Sequence, residues 1–239
     1  VHNMQRPLIN GQGSFKQVIE GIENLTSAGY SNLGSISVVT KNSFSYLETI
    51  LDFFAKDLKL SHIKLNPLRK TSSCDELGLA EEELEEYVER VLQRLKKLHK
   101  EGYYIIEDNI AGKLTNLLVR PDENICNAKG CTAGRGLITI NKNGDIFPCE
   151  MSDYEKEAIG SIFDNNTLSS MVIEARKSHN FYKVKQSEEC KTCPWWYYCR
   201  GGCSSSVRFT DEKISSIDKT ECTINRVLYP KLVELLLTE

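Results

Sequence analysis

No apolar stretch in the 239 residues approaches the roughly 20 residues that a bilayer-spanning helix needs. That excludes an integral helical membrane protein. The amino-terminal run Val1-His-Asn-Met-Gln-Arg6 is polar and no apolar segment follows it, so it does not read as a secretory signal. Basic charge is not in excess either. Thirty Lys and Arg against 33 Asp and Glu leave a net charge of −3, which argues against nucleic acid or an anionic membrane as partner. Histidine is scarce as well: residues 2, 62, 99 and 179 are scattered and no two form a ligand pair. Cysteine, by contrast, is abundant, with nine residues. An odd count, a C-x2-C pair and the polar amino terminus favour reduced thiols on metal over secreted disulfides, and hence a cytoplasmic protein.

The cysteines concentrate in Cys190-Lys-Thr-Cys193-Pro-Trp-Trp-Tyr-Tyr-Cys199-Arg-Gly-Gly-Cys203, a C-x2-C-x5-C-x3-C array. Thiolates are strong soft ligands, and a loop folded back on itself presents several to one centre. Pro194 keeps the segment from continuing as a helix. Gly201-Gly202 supplies a turn without a Cβ penalty. Trp195 to Tyr198 offer an apolar wall that would keep water from the centre. Upstream stand Cys126, Cys131 and Cys149, the last closing Gly144-Asp-Ile-Phe-Pro-Cys149; Cys222 comes late. Spacing alone leaves two chemistries open: iron–sulfur clusters, or structural zinc in two sets of four thiolates.

Residues 1–120 alternate helical and strand patterns. Phe15, Val18, Ile19, Ile22 and Leu25 recur at helical spacing, with Gly29 as a stop. Ser35–Thr40 is a β-branched strand. A helix with Leu47, Ile50, Leu51, Phe54 and Leu58 on one face follows, opened by Ser45 and Glu48 as a capping box. His62–Asn66 reads as a second strand. A long helix runs from about Ala80 to Lys100, with its glutamates first and its Lys and Arg last, as the helix dipole favours; the glutamates form a solvated face. This order implies an α/β unit with a parallel sheet. Beyond Pro121 the pattern turns to short loops. Leu137–Ile140 and Asp145–Phe147 flank Asn141-Lys-Asn-Gly144, a hairpin that would hold Cys131 near Cys149. Helices are expected over 167–177 and 224–237, the latter despite Pro230, with Cys222 just ahead of it.

Counted from Cys131, the pattern C-x12-G-x4-C, then C-x2-C-x5-C-x3-C, then C resembles the SPASM domain, the auxiliary iron–sulfur module of many radical S-adenosylmethionine enzymes. Arg6-Pro, Gly11-x-Gly-Ser-Phe15, Val38–Asn42 and Ile63–Pro67 are similar to the later part of the radical S-adenosylmethionine partial (β/α)6 barrel in peptide- and protein-modifying members. The resemblance implies residues 1–120 as that part of the barrel and 121–239 as the SPASM domain. It implies two auxiliary [4Fe–4S] clusters, one on Cys126, Cys131, Cys149 and Cys203, the other on Cys190, Cys193, Cys199 and Cys222. Cys126, at a short spacing from Cys131, fits the pattern least well. Arg6, Thr40, Asn42 and Asn66 would face S-adenosylmethionine. Glu150 corresponds in place to an Asp proposed as the substrate base in sulfatase-maturing relatives; an ordinary surface glutamate is the alternative.

One departure matters. The family's C-x3-C-x2-C loop, which holds the third [4Fe–4S] cluster that cleaves S-adenosylmethionine, is absent, and Cys74, in a polar segment, reads as a surface thiol. The expectation is therefore a C-terminal portion, inactive alone and with an open sheet edge. The intact enzyme would be an oxidoreductase that modifies a ribosomal peptide or protein by thioether crosslinking or side-chain oxidation, served by a flavodoxin or ferredoxin. The rival readings are a non-catalytic iron–sulfur electron-transfer or scaffold protein, and a zinc-stabilised binding module.

Overall fold

The computed structural model describes residues 1–69, 75–119, 131–134, 136–152, 157–178, 186–203, 205–207 and 217–238. Cys74, Cys126 and His179 lie outside the described residues. The chain divides into two compact units, Val1–Leu68 with Leu77–Ala111, and Arg69–Glu76 with Gly112–Glu239.

The first unit is built on a parallel sheet of β1 (Gly34–Val39), β2 (His62–Pro67) and β3 (Ile106–Glu107), in the order β1-β2-β3. The register runs from Gly34 opposite His62 to Val39 opposite Pro67, and His62 pairs with Ile106. Parallel neighbours require crossovers, and helices supply both. Between β1 and β2 stand α3 (Lys41–Phe44) and α4 (Leu47–Asp52), the latter prolonged by a π-helical turn, Phe53–Asp57. Between β2 and β3 runs α5 (Glu81–Lys100). The core is where their apolar faces meet: Leu47 and Leu51 of α4, Ile63 and Leu65 of β2, and Leu84, Tyr87, Val88, Val91, Leu95 and Leu98 of α5 are buried. The Tyr87 hydroxyl donates to the Leu65 carbonyl at 3.1 Å.

Glu48 does not cap α4 as its spacing from Ser45 suggests. Arg90 of α5 takes it instead, Nε to Oε1 at 2.7 Å and Nη2 to Oε2 at 2.6 Å. A two-pronged guanidinium pair outcompetes a backbone amide for a carboxylate. The capping box forms earlier, between Thr40 and Ser43 of α3. Two further helices precede the sheet, α1 (His2–Gln5) and α2 (Phe15–Ser27), and neither buries a residue. In the sheet order β1 is a terminal strand, with Ile36 73% exposed, so the edge expected from the sequence is present among the described residues.

The second unit holds an antiparallel sheet of β4 (Thr139–Ile140), β5 (Asp145–Phe147) and β6 (Gly160–Ser161), with β5 in the middle. Its hairpin turn forms because Asn141 Oδ1 accepts from the amides of Asn143 and Asp145 at 2.8 and 2.9 Å, while Gly144 adopts φ +87°. A Cβ there would approach Phe163 to 2.7 Å, so only glycine fits. The helices are α6 (Asp108–Val119, shared between the units), α7 (Leu168–Ser178), α8 (Glu188–Lys191), α9 (Trp196–Cys199) and α10 (Lys219–Thr238). Ile146, Phe147, Leu228, Tyr229 and Leu232 are buried here. Helix α10 starts five residues before the expected position, because the buried Asp218 accepts the Glu221 amide at 3.1 Å as its cap. Cys222 thus lies in its first turn rather than ahead of it. Among the described residues, no helix is long and apolar enough to cross a membrane.

Candidate metal centre

Seven cysteines are described, all in the second unit: 131, 149, 190, 193, 199, 203 and 222; no disulfide joins them. Local hydrogen bonds hold three of them in place. The Gly134 amide bonds to the carbonyls of Leu137 at 2.8 Å and Pro148 at 2.7 Å, which fixes the loop after Cys131 against the residue before Cys149. The Cys149 sulfur accepts the Met151 amide at 3.3 Å. Cys190 lies within the short α8, which is capped by Ser187, whose hydroxyl donates to the Cys190 sulfur at 3.2 Å.

The array then turns sharply. Arg200, Gly201 and Gly202 take φ of 55°, 84° and 81°, a left-handed run that ends α9. A Cβ on Gly202 would come within 2.6 Å of Asp218 Cβ, so this glycine lets α10 approach the loop. Asp218 closes the junction. Its Oδ2 accepts from the Cys203 amide at 3.2 Å and from Arg69 Nε at 3.0 Å, and its backbone amide donates to Gly201 at 3.1 Å. One turn on, Glu221 accepts from the buried Lys113 and from Asn225 Nδ2, with Arg69 Nη2 at 3.8 Å.

The electrostatics group the thiols. Burial pushes the Cys222 thiol up to about 11, and the Cys199, Cys190 and Cys193 thiols add to the rise against the charge of Arg226. Cys222 therefore lies within the fields of the other three, although it is 32 positions from Cys190 in the chain. Cys199 is also raised by burial, opposed by a hydrogen bond from Asn225. Burial raises Cys203 too, while the Arg69 charge and the Ser206 and Ser205 amides draw it down. Burial pushes Glu221 up, but Lys113 and Arg69 outweigh it and hold the carboxyl below its ordinary range. Burial keeps Asp218 above its ordinary value despite Arg69. Among the described residues, no three His, Cys, Asp or Glu side chains converge on a single metal-ion position.

The donor set suits a sulfur-rich cofactor. Cys190 and Cys199 are buried and the other five described thiols half-buried; thiolates withdrawn from water are costly as isolated anions and are neutralised by metal. Buried polar atoms nearby in sequence also lack a hydrogen-bond partner among the described residues: Thr132 Oγ1, Ser152 Oγ, Arg200 Nε, Asn225 Oδ1 and Tyr229 Oη. Four of the five are within three residues of a cysteine in the chain, and all but the Asn225 oxygen carry a proton that a cluster sulfur can accept. Of the aromatic wall, Trp195 stacks on Tyr229 at 5.3 Å and 17°, and Tyr198 meets the same ring at 5.7 Å, whereas Tyr197 is exposed under Arg200. Tyr229 gave no signal in the sequence beyond its place in a helix.

The remaining candidates are less assembled. Glu150 is an exposed turn residue, without the desolvation that a base role anticipates. In the first unit, Thr40 and Asn42 follow β1 and Asn66 lies near the end of β2, and the parallel register brings them to one end of the sheet. Thr40 is buried and accepts from Gln5 Nε2 at 2.5 Å; Asn66 Oδ1 accepts from Asn109 Nδ2 at 3.1 Å; Asn42 and Arg6 are exposed. Sequence reasoning missed Asn109 and the buried Glu107, which accepts the amides of Leu65 and Ile110 at 2.8 Å each. Strand β3, which carries Glu107, is too short to show a period.

Residues 131–194 match the SPASM iron–sulfur cluster-binding domain. Over 209 residues the chain is 26% identical to a cysteine-type anaerobic sulfatase-maturating enzyme of Clostridium perfringens, covering 85% of this chain and 55% of that one. It is 24% identical over 218 residues to the mycofactocin maturase MftC of Mycolicibacterium smegmatis, covering 90% and 53%. The chain thus spans about half the length of the curated relatives it matches. The solved structure of native anSMEcpe with bound AdoMet and Cp18Cys peptide superposes on all of this chain and 67% of its own, with a TM-score of 0.79 at 20% identity; that likeness is one of fold. The chain is similar to radical S-adenosylmethionine maturases with a SPASM domain.

Proposed function

We propose that this chain is the cluster-bearing part of a radical S-adenosylmethionine enzyme that modifies a ribosomal peptide or protein, through a thioether crosslink or side-chain oxidation. The observation that carries the reading is the match of residues 131–194 to an iron–sulfur cluster-binding domain; that Cys222 lies within the fields of Cys190, Cys193 and Cys199 supports a four-thiolate set drawn from a loop and a distant helix. Those four would hold one auxiliary [4Fe–4S] cluster. Cys131, Cys149 and Cys203, with Cys126, would hold the other, in keeping with the Gly134–Pro148 tie between the neighbours of Cys131 and Cys149. When bound, such clusters supply one-electron acceptance or ligation of substrate.

The chain's own residues do the rest. Asp218 orients the Cys203 amide, Ser187 the Cys190 sulfur, and Trp195, Tyr198 and Tyr229 exclude water from the set that includes Cys199. Glu150, one residue past Cys149, is the proposed base on substrate, on position alone. Thr40, Asn42, Asn66 and Arg6 would contact S-adenosylmethionine at the carboxyl end of the parallel strands, where open α/β sheets bind ligands. On this reading residues 1–120 are the later part of a partial (β/α)6 barrel and 121–239 the SPASM domain, in a cytoplasmic enzyme reduced by flavodoxin or ferredoxin.

Substitution tests the partition. Cys193→Ala and Cys222→Ala should each lower iron content by the same share and abolish the same paramagnetic signal, whereas Cys203→Ala should match Cys149→Ala. If Cys203→Ala instead behaves like Cys193→Ala while Cys222→Ala keeps full iron, the partition is wrong.

A further inference from the structure

Tyr229 is the largest fully buried side chain, at 0% exposure, and its hydroxyl has no hydrogen-bond partner among the described residues. A buried phenol without a partner has given up its water with nothing in return, so its survival calls for an acceptor. The surroundings point to one. Tyr229 lies seven residues after Cys222 on α10, two turns along and on the same face, with Asn225 between them. Its ring is clamped by Trp195 and Tyr198, both inside the segment that runs from Cys193 to Cys199. The clamp fixes the position of the hydroxyl oxygen, so the ring cannot swing to seek another partner. Asn225 on that face is also buried, and its side chain bonds to the Cys199 sulfur. The face of α10 from Cys222 to Tyr229 therefore offers one ligand and two polar groups to a single thiol set.

We propose that the Tyr229 hydroxyl donates a hydrogen bond to a sulfur of the group held by Cys190, Cys193, Cys199 and Cys222, and so sets that group's reduction potential and seats it. The inference rests on the iron–sulfur reading above. Hydrogen bonds to cluster or cysteine sulfur stabilise the reduced, more negative state and raise the potential. Tyr229 is thus a positioning residue, not a catalytic one.

The test compares the full chain and its Tyr229→Phe variant, both reconstituted anaerobically with iron and sulfide, by redox titration followed by electron paramagnetic resonance. Two potentials are expected in the parent chain. In the variant one should move to a more negative value and the other stay in place, with iron content unchanged. Thermal unfolding gives a second readout of the same pair. The loaded variant should melt below the loaded parent, while the metal-free variant should melt at or above its parent, because only an orphaned hydroxyl has been removed. If Tyr229→Phe fails to load, 3-fluorotyrosine at position 229 decides, since this stronger donor should shift the same potential positive. Unchanged potentials in a fully loaded variant or fluorotyrosine protein overturn the inference. A parent chain that takes up zinc and no sulfide overturns the iron–sulfur reading itself, and the inference with it.

Discussion

Replacing Lys113 by methionine keeps the length of the side chain and removes its charge. Lys113 is 7% exposed in its side chain and Glu221 16%, so the variant leaves a buried carboxylate without its nearest cation. Breaking one side of a buried pair costs about 3–5 kcal/mol. Glu221 keeps Asn225 at 3.4 Å and the Arg69 guanidinium at 3.8 Å, which places the expected loss at the lower end, about 3 kcal/mol. For a chain of this size each kcal/mol moves the melting temperature by about 2–4 °C, so a drop of about 6–12 °C is expected. The double variant Lys113→Met, Glu221→Gln removes both charges together and should recover most of that loss, because a neutral pair of similar shape needs no compensation. Anaerobic thermal unfolding of the four proteins of this cycle, with iron content measured beside each, yields the coupling directly. A single-variant drop below about 2 °C, or a double variant whose loss equals the sum of the two singles, would refute the reasoning that this pair is a buried, mutually dependent unit.

Three other outcomes follow from the same structure. The hydrogen bond from Arg90 holds Glu48 below its ordinary value of 4.5, so the pair's stability is fully present above that value and is lost as pH falls through the depressed folded one. Glu48→Gln should accordingly lower the melting temperature at pH 6, by the small amount expected of a half-exposed pair, and the gap should close under acid conditions; a constant gap across pH would contradict the linkage. In the intact enzyme, Glu150→Gln should leave iron content unchanged and slow substrate turnover, and unchanged turnover would return Glu150 to an ordinary surface role. Because the 239 residues contain no C-x3-C-x2-C, the reconstituted and reduced chain should form no 5′-deoxyadenosine from S-adenosylmethionine; a chromatographic peak above the no-protein control would contradict this.

What could be read from the sequence was whatever repeats at short range. Helix α5 and strand β2 show their periods plainly, and Asn141 with Gly144 announces the hairpin, because amphipathic spacing and left-handed turns are local properties. Strands β3 and β6 have two residues each and no period to detect. Glu48 was drawn to the wrong partner on paper because Arg90, 42 positions away, is a neighbour only after α4 packs on α5. The cysteine pattern points to a metal centre but not to the polar frame around it. Lys113 and Glu221 are 108 positions apart and Arg69 and Asp218 149, so nothing short-range links them. The onset of α10 was misjudged for the same reason: its cap, Asp218, is buried against Arg69 and the Cys203 amide, neither of which is local.

Metal and acid-labile sulfide analysis of the anaerobically prepared chain tests the central claim most directly. Two four-iron clusters on the two thiolate sets require about eight irons and about eight sulfides per chain, with a brown colour that bleaches on reduction. Stoichiometric zinc with negligible sulfide, in a colourless protein, would contradict the account.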